Sequence, residues 1–383
     1  MELLEKLQHI TESLPVFLPE IWLAALSLLV LLADLLKGHD FHRLPSLVLA
    51  GGLLLFLWLC TVVPVPHEQS WFLHMLFSSK TGSFLRLFFG VCGLLAISLV
   101  WFQAGKQKKM AWLRGEYSFI ICIVLLGLCL LVQSRHLLMI YLSLEVVSIG
   151  SYILTLFRLN KKAAAGAIKY LLFGAVSSGI MLYGMSLLWV FTGSLYLPQV
   201  ASGLQSIPEA PAAAALVLLS AGLVFKLAAF PFQFWVPDVY EAAPTPVVAF
   251  FSVAPKAGGL LVIYNLLLVL PDGTPGKPVL VALLAAVAIA TIFWGNLSAL
   301  RQQNVKRMLA DSSIAHAGFL LTGVLALPAG PGSALLFYLS IYALMNFAAF
   351  AFVQYFARGN QSFSLEKTGG LGLQYPFAGV LVL

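Results

Sequence analysis

Charge is what this chain has least of. Only 10% of its 383 residues are Asp, Glu, Lys or Arg, while 61% are hydrophobic; a soluble domain carries about 25% charged residues. Such a make-up excludes an ordinary soluble globular protein and points to a chain that crosses a membrane many times. Cysteine is scarce as well. Cys60, Cys92, Cys122 and Cys129 all lie in apolar runs with no CxxC spacing, which argues against thiolate-bound zinc or iron–sulfur clusters and reads as small core residues. No metal site is expected. No Walker loop follows a strand, Gly369-Gly-Leu-Gly372 has no strand–turn–helix unit around it, and no nucleophile triad stands out. ATP binding, dinucleotide binding and hydrolytic catalysis therefore have no foothold. The polar start, with Glu2, Glu5 and Lys6, lacks the basic opening of a secretory signal.

What the chain does have is a series of long apolar runs, with a mean hydropathy of +0.96. Eleven complete spans are predicted, at about 15–36, 44–63, 82–102, 117–132, 137–157, 163–191, 211–235, 246–270, 279–297, 308–327 and 333–357, and a twelfth begins near Tyr375 and is still running at Leu383. The net charge of +7 belongs in loops and implies no nucleic acid. Lys37 and Arg43, Lys106 to Arg114, Arg158 to Lys162, Arg301 to Arg307, and Arg358 with Lys367 follow spans one, three, five, nine and eleven. Odd-numbered connections are thus expected to face the cytoplasm and the N-terminus to face out. The connection after span seven is the exception, since it carries Asp238 and Glu241 and no base. It is also rich in proline, as suits a broken helix folded back into protein.

The stretch Gly222 to Gly259 organises the rest. It holds two lysines at membrane depth, Lys226 and Lys256, each close to a proline, Pro231 or Pro255. A proline leaves the carbonyl four residues before it without its helical donor. In hydrocarbon, such a carbonyl is tolerated only where protein or water covers it. Lysines beside interrupted backbone suggest a wet, buried cavity with hinges at Pro231 and Pro255; the plainer reading is a kinked helix whose lysines reach to the interface. Glu145 is the one acid near the middle of an apolar run. It must be protonated, hydrated or paired, with Lys226, Lys256 or Lys169 as available bases. His316 sits mid-span among small residues and is either a satisfied core group or a proton relay. Lys169 lies roughly 9 Å into span six by helix rise and is a possible relay residue. So is Lys306, which precedes His316 by ten residues as Arg135 precedes Glu145. That echo, on opposite membrane faces, is the spacing inverted repeats would give.

These motifs carry a resemblance. Phe225-Lys226-Leu-Ala-Ala-Phe-Pro231 through Asp238-Val-Tyr240-Glu241-Ala-Ala-Pro-Thr-Pro246, then Ser252-Val-Ala-Pro-Lys256, then Arg301-Gln-Gln-Asn-Val-Lys306 through His316-Ala-Gly318, and the Glu145 segment are similar to the antiporter-like membrane subunits of proton-pumping NADH:quinone oxidoreductase, respiratory complex I. Within that group the chain is most similar to the bacterial subunit N type, counterpart of mitochondrial NADH dehydrogenase subunit 2. The resemblance covers about residues 116–357. It implies an all-α polytopic membrane protein of antiporter-like fold, built of inverted five-helix repeats with broken helices and truncated in the second repeat. The implied divisions are three N-terminal helices over 1–115, a first repeat over 116–270, and a second over 271–383 that is incomplete at the C-terminus, since its broken helix and lysine would fall beyond Leu383.

The resemblance further implies a proton relay of Glu145, Lys226, Lys256 and His316 at the membrane midplane. It places NADH, FMN, iron–sulfur clusters and quinone in partner subunits, with no cofactor bound by this chain. It implies neighbouring complex I membrane subunits and the lipid bilayer as partners, and a bacterial cytoplasmic (inner) membrane location. Ala242 stands where a glycine is common in the motif, which is expected to stiffen the turn. A carboxylate roughly 7 Å from Lys226, at an effective dielectric near 20, attracts it by about 2 kcal/mol. Moving one charge across ~150 mV costs about 3.5 kcal/mol. One ion pair therefore falls short, and several coupled steps driven from neighbouring subunits are needed. Readings that share the fold are a subunit of a Mrp-type sodium/proton antiporter or of a membrane-bound hydrogenase; a reading of another class is a structural membrane spacer.

Overall fold

The computed structural model describes residues 10–36, 43–63, 68–104, 115–326, 332–357, 363–368 and 375. Among them, eleven helices are long and apolar enough to cross a membrane. In chain order these are α1 (Leu18–Leu36), α2 (Leu44–Val62), α3 (Lys80–Ala104), α4 (Gly115–Gln133), α5 (Leu137–Leu156), α6 (Lys161–Thr192), α8 (Glu209–Leu227), α10 (Thr245–Val269), α11 (Lys277–Ala299), α12 (Val305–Ala326) and α13 (Ser333–Phe356); α7 (Leu197–Leu204) and α9 (Val236–Ala242) are short. A small antiparallel hairpin, β1 (Gln69–Trp71) with β2 (Leu76–Ser78), links α2 to α3. Each predicted span falls on one of these helices. The expected twelfth lies outside the described residues apart from Tyr375.

Most of these helices are apolar around much of their circumference, so helical periodicity alone does not choose an inward face. Packing does. α10 is buried along nearly its whole length, from Thr245 to Leu267, and α3, α4, α5, α8, α12 and α13 close around it. Small residues set the close approaches. A Cβ added at Gly259 would lie 3.3 Å from the Cβ of Lys226, and one at Gly258 would press on Leu128 and Leu131 of α4. Glycine at these two positions leaves room on α10 for the stem of Lys226 from α8 and for the leucine side chains of α4.

Span seven differs from its prediction. The helix does not continue to residue 235; α8 stops at Leu227, and Ala228 takes a left-handed conformation with φ of 59°, a strained one for a residue with a Cβ. The break therefore begins three residues before Pro231, which sits inside the bend. The amides of Ala228 and Ala229 turn back to Phe225 and Val224, and the amide of Phe230 donates to Thr291 Oγ1 of α11 at 2.9 Å. Another helix thus covers backbone that the break exposes. A short 3-10 turn (Gln233–Trp235) then leads into α9. Pro255 differs too: α10 runs through it without a break, because the helix is already enclosed on all sides and tertiary packing outweighs one missing hydrogen bond. Ala242 ends α9 with ordinary helical backbone.

Candidate functional site

α8 ends at the break, and its last turn delivers Lys226 into the bundle. The side chain is 3% exposed and its Nζ donates to Ser148 Oγ on α5 at 3.3 Å. Ser148 stands one turn beyond Glu145, on the same side of α5. Glu145 is the carboxylate that acts electrostatically on Lys226, but its hydrogen bond comes from Ser178 Oγ of α6. Of the alternatives open to Glu145, pairing with a lysine is not seen among the described residues; one serine meets the carboxylate and another the ammonium of Lys226.

Around the break the aromatic residues form a wall. Tyr170 of α6 stacks on Trp235 with centroids 3.9 Å apart and meets Tyr152 of α5 edge-on at 4.6 Å. Trp235 also touches the ring of Phe225, next to Lys226.

Lys256 lies on α10, 3% exposed. Its Nζ donates to the backbone oxygen of Ser313 at 2.6 Å and to Ser313 Oγ at 2.8 Å, both on α12. Tyr240 of α9 shares that hydroxyl at 3.1 Å. One turn further along α12, His316 Nδ1 pairs with Tyr338 of α13 at 2.7 Å, and its ring packs 4.9 Å from that of Tyr342. Lys256 acts electrostatically on His316. Four of the residues singled out in the sequence therefore fall in two groups: Glu145 with Lys226, and Lys256 with His316. They meet where Gly259, one turn beyond Lys256, receives the stem of Lys226.

Lys169 and Lys306 are placed elsewhere. Lys169 hydrogen-bonds Asp238 of α9 and does not reach Glu145. Lys306, 3% exposed, donates to the backbone oxygen of Ala243, just past the end of α9, at 2.9 Å; a cation there suits the negative end of a short helix. Sequence reasoning missed how these contacts join up. Arg307 Nη1 donates to Asp238 at 2.7 Å and Glu241 at 3.1 Å, and Lys162 donates to Glu241 at 2.5 Å. The acidic connection that seemed to lack a base is neutralised by bases from the N-terminal parts of α6 and α12. Burial alone would raise the Asp238 and Glu241 carboxyls. Hydrogen bonds and charge from Lys169 and Arg307 on one, and from Lys162 and Arg307 on the other, outweigh it and hold both below the usual carboxylate range.

A second charged cluster joins α1, α3 and α4. Glu20 of α1, fully buried, accepts from Arg86 of α3 at 2.7 Å and from Gln133 of α4 at 2.8 Å. The hint was there, since Arg86 stands six residues inside a helix that carries no other internal charge. Among the described residues, no group of three or more His, Cys, Asp or Glu is placed to hold a metal ion.

A broken helix, two buried lysines at the break and on the central helix, and a glutamate one turn from the first lysine's partner define an antiporter-like membrane protein. The family described as NADH:quinone oxidoreductase/Mrp antiporter matches residues 134–383. The fold is shared with a chain of the membrane-bound sulfane sulfur reductase, an archaeal respiratory membrane complex (TM-score 0.84, 24% identity, 97% of this chain and 76% of that one). It is shared also with a chain of respiratory complex I from Thermus thermophilus (TM-score 0.76, 29% identity, 94% and 76%). NADH-quinone oxidoreductase subunit N of Chlorobium chlorochromatii is 37% identical over 96% of this chain and 73% of its own length, and subunit N 2 of Sorangium cellulosum is 38% identical over 95% and 75%. The chain belongs to the subunit N family of NADH-quinone oxidoreductase.

Proposed function

We propose that this chain is the proton-translocating subunit N of a bacterial NADH:quinone oxidoreductase, and that Glu145, Lys226, Lys256 and His316 carry the proton along the middle of the bilayer. The chain sits in the cytoplasmic membrane beside the other membrane subunits of complex I, with its N-terminus outside. NADH oxidation and quinone reduction take place in partner subunits, where FMN and the iron–sulfur clusters reside, and this chain holds the ion path.

The observation that carries this reading is the burial of Lys226 and Lys256 with hydroxyl and carbonyl partners and no bonded carboxylate. A buried ammonium in that setting is costly to keep charged, so both lysines are poised to give up a proton. Each neighbour is a group that can pass or receive one. Ser148 and Glu145 lie on one side, and Ser313, Tyr240 and His316 on the other. The sequence of steps runs from Glu145 and Lys226 through Lys256 to His316. Burial of these groups lets the charge of one bias its neighbour by a few kcal/mol, and repeated small biases together match the work of crossing the membrane potential.

The test is Lys226→Met combined with Glu145→Gln in the assembled complex, read as protons moved per NADH oxidised. Loss of pumping in the assembled variant is the expected result. Pumping that survives both changes excludes the relay; a loss of assembly with normal pumping per assembled complex identifies a spacer instead.

A further inference from the structure

Lys256 and Ser313 pose a hydrogen-counting problem. A charged lysine offers three hydrogens and accepts none, whereas a neutral one offers two and has a lone pair to fill. The backbone oxygen of Ser313, 2.6 Å away, can only accept, so it serves both forms without changing. The hydroxyl at 2.8 Å can take either role. Toward a charged Lys256 it must accept, leaving its own hydrogen for another oxygen. Toward a neutral Lys256 it can turn that hydrogen onto Nζ and so fill the lone pair. The other oxygens are at hand. Tyr240 Oη lies 3.1 Å from Ser313 Oγ, in a contact where either atom can donate. Tyr342 gives its hydrogen to the Ser252 carbonyl at 3.1 Å, and its oxygen is also a neighbour of the Ser313 side chain.

We propose that Ser313 is a positioning residue that reads the proton on Lys256: its hydroxyl accepts from the charged lysine and donates to the neutral one, and through Tyr240 it passes that change to the short helix after the break. This inference rests on the proposed relay and deepens it. Only the proton on Lys256 is gained or lost; the remaining change is a rotation of the Ser313 and Tyr240 O–H bonds. The geometry makes the coupling direct. Tyr240 is on α9, whose Asp238 and Glu241 are bonded to Arg307 and whose following residue, Ala243, is bonded to Lys306, and Arg307 and Lys306 share α12 with Ser313. The acceptor for Lys256 and the anchor of the broken segment are thus one rigid body.

Among the described residues, the titratable groups around Lys256 reach it through its neighbours: Tyr240 on α9 and Tyr342 on α13 meet Ser313, His316 on α12 is influenced by the charge of Lys256, and Lys226 on α8, influenced by Glu145 of α5, meets α10 at Gly259. From α3 and α4 the face around Gly258 meets Phe89, Leu128 and Leu131, and the charge inside α3, Arg86, is bound to Glu20.

The sign follows from bond strengths. A hydroxyl accepting from an ammonium makes a stronger bond than one donating to an amine. Removing Oγ therefore costs the charged form of Lys256 more, by about tenfold in the charged-to-neutral ratio. Loading Lys256 then requires a lower pH. The experiment is the pH profile of proton pumping in the intact complex carrying Ser313→Ala, Ser313→Thr, Ser313→Cys or Lys256→Met. In Ser313→Ala the alkaline fall of the profile is expected to move down by about one pH unit, and Ser313→Thr, which keeps the hydroxyl, to restore it. Ser313→Cys, with a weaker donor and acceptor, moves it the same way and carries the comparison should the alanine variant not assemble. An unmoved profile in the alanine and cysteine variants overturns the inference, as does a threonine variant that moves as far as alanine. Lys256→Met separates the two levels. Normal pumping there removes the relay itself; lost pumping there, with an unmoved profile in the Ser313 variants, removes only the role of Ser313.

Discussion

Arg307→Ala is the perturbation whose cost can be worked out most fully. The guanidinium lies 2.7 Å from Asp238 and 3.1 Å from Glu241. Two unit charges about 4 Å apart at an effective dielectric of 20 attract by about 4 kcal/mol. Arg307 is 31% exposed and Asp238 33%, so solvent screening brings the net value down to about 1–2 kcal/mol. Neither carboxylate is abandoned by the change, since Lys169 still holds Asp238 and Lys162 still holds Glu241. The expected loss is therefore about 1–2 kcal/mol and not the 3–5 kcal/mol of an orphaned buried charge.

Denaturation of the detergent-purified chain by added SDS measures the loss, and a double-mutant cycle with Asp238→Asn isolates the pair. The same network fixes a pH dependence. Asp238 and Glu241 are held below the usual carboxylate range, so their stabilisation is complete above about pH 4, the ordinary value, and is lost as the pH falls through the lower folded values. Arg307→Ala should shrink that acid-side loss. A coupling energy near zero, with an acid limb identical to wild type, refutes the argument that this arginine anchors α9.

The other cations give contrasting outcomes. Arg86→Met strands Glu20, which is fully buried, and is expected to cost about 3–5 kcal/mol, whereas replacing Glu20 and Arg86 together by Leu and Met should be close to neutral; SDS denaturation of both variants distinguishes a stranded charge from simple lost packing. Lys306→Met removes the donor to the Ala243 oxygen and should lower stability by about 1–3 kcal/mol while protons per NADH stay unchanged; abolished pumping at full stability would instead make Lys306 a relay group.

The sequence shows the eleven spans because each is an uninterrupted apolar run, and hydropathy registers such runs directly. It shows Lys226, Lys256, Glu145 and His316 because ionisable groups are conspicuous in hydrocarbon. It does not show partners that meet only in three dimensions. Asp238 and Arg307 are 69 positions apart, and Glu20 and Arg86 are 66 apart, on helices whose relative rotation no single-chain pattern specifies. The depth of Glu20, three residues into α1, follows only from α3 and α4 closing over it. The break fell at Ala228 and not at Pro231 for a related reason. Proline marks where a helix cannot continue, but the chain leaves the helix as soon as Thr291 and the Tyr170–Trp235 stack offer the next residues other partners.

The account turns on a shared hydrated path, and a high-resolution map of the intact complex examines it most directly. Ordered waters linking Glu145 and Lys226 to Lys256 and His316 across the middle of the bilayer are the result expected. A dry interval between the two pairs, filled by side chains or acyl tails in every state captured during turnover, would contradict it.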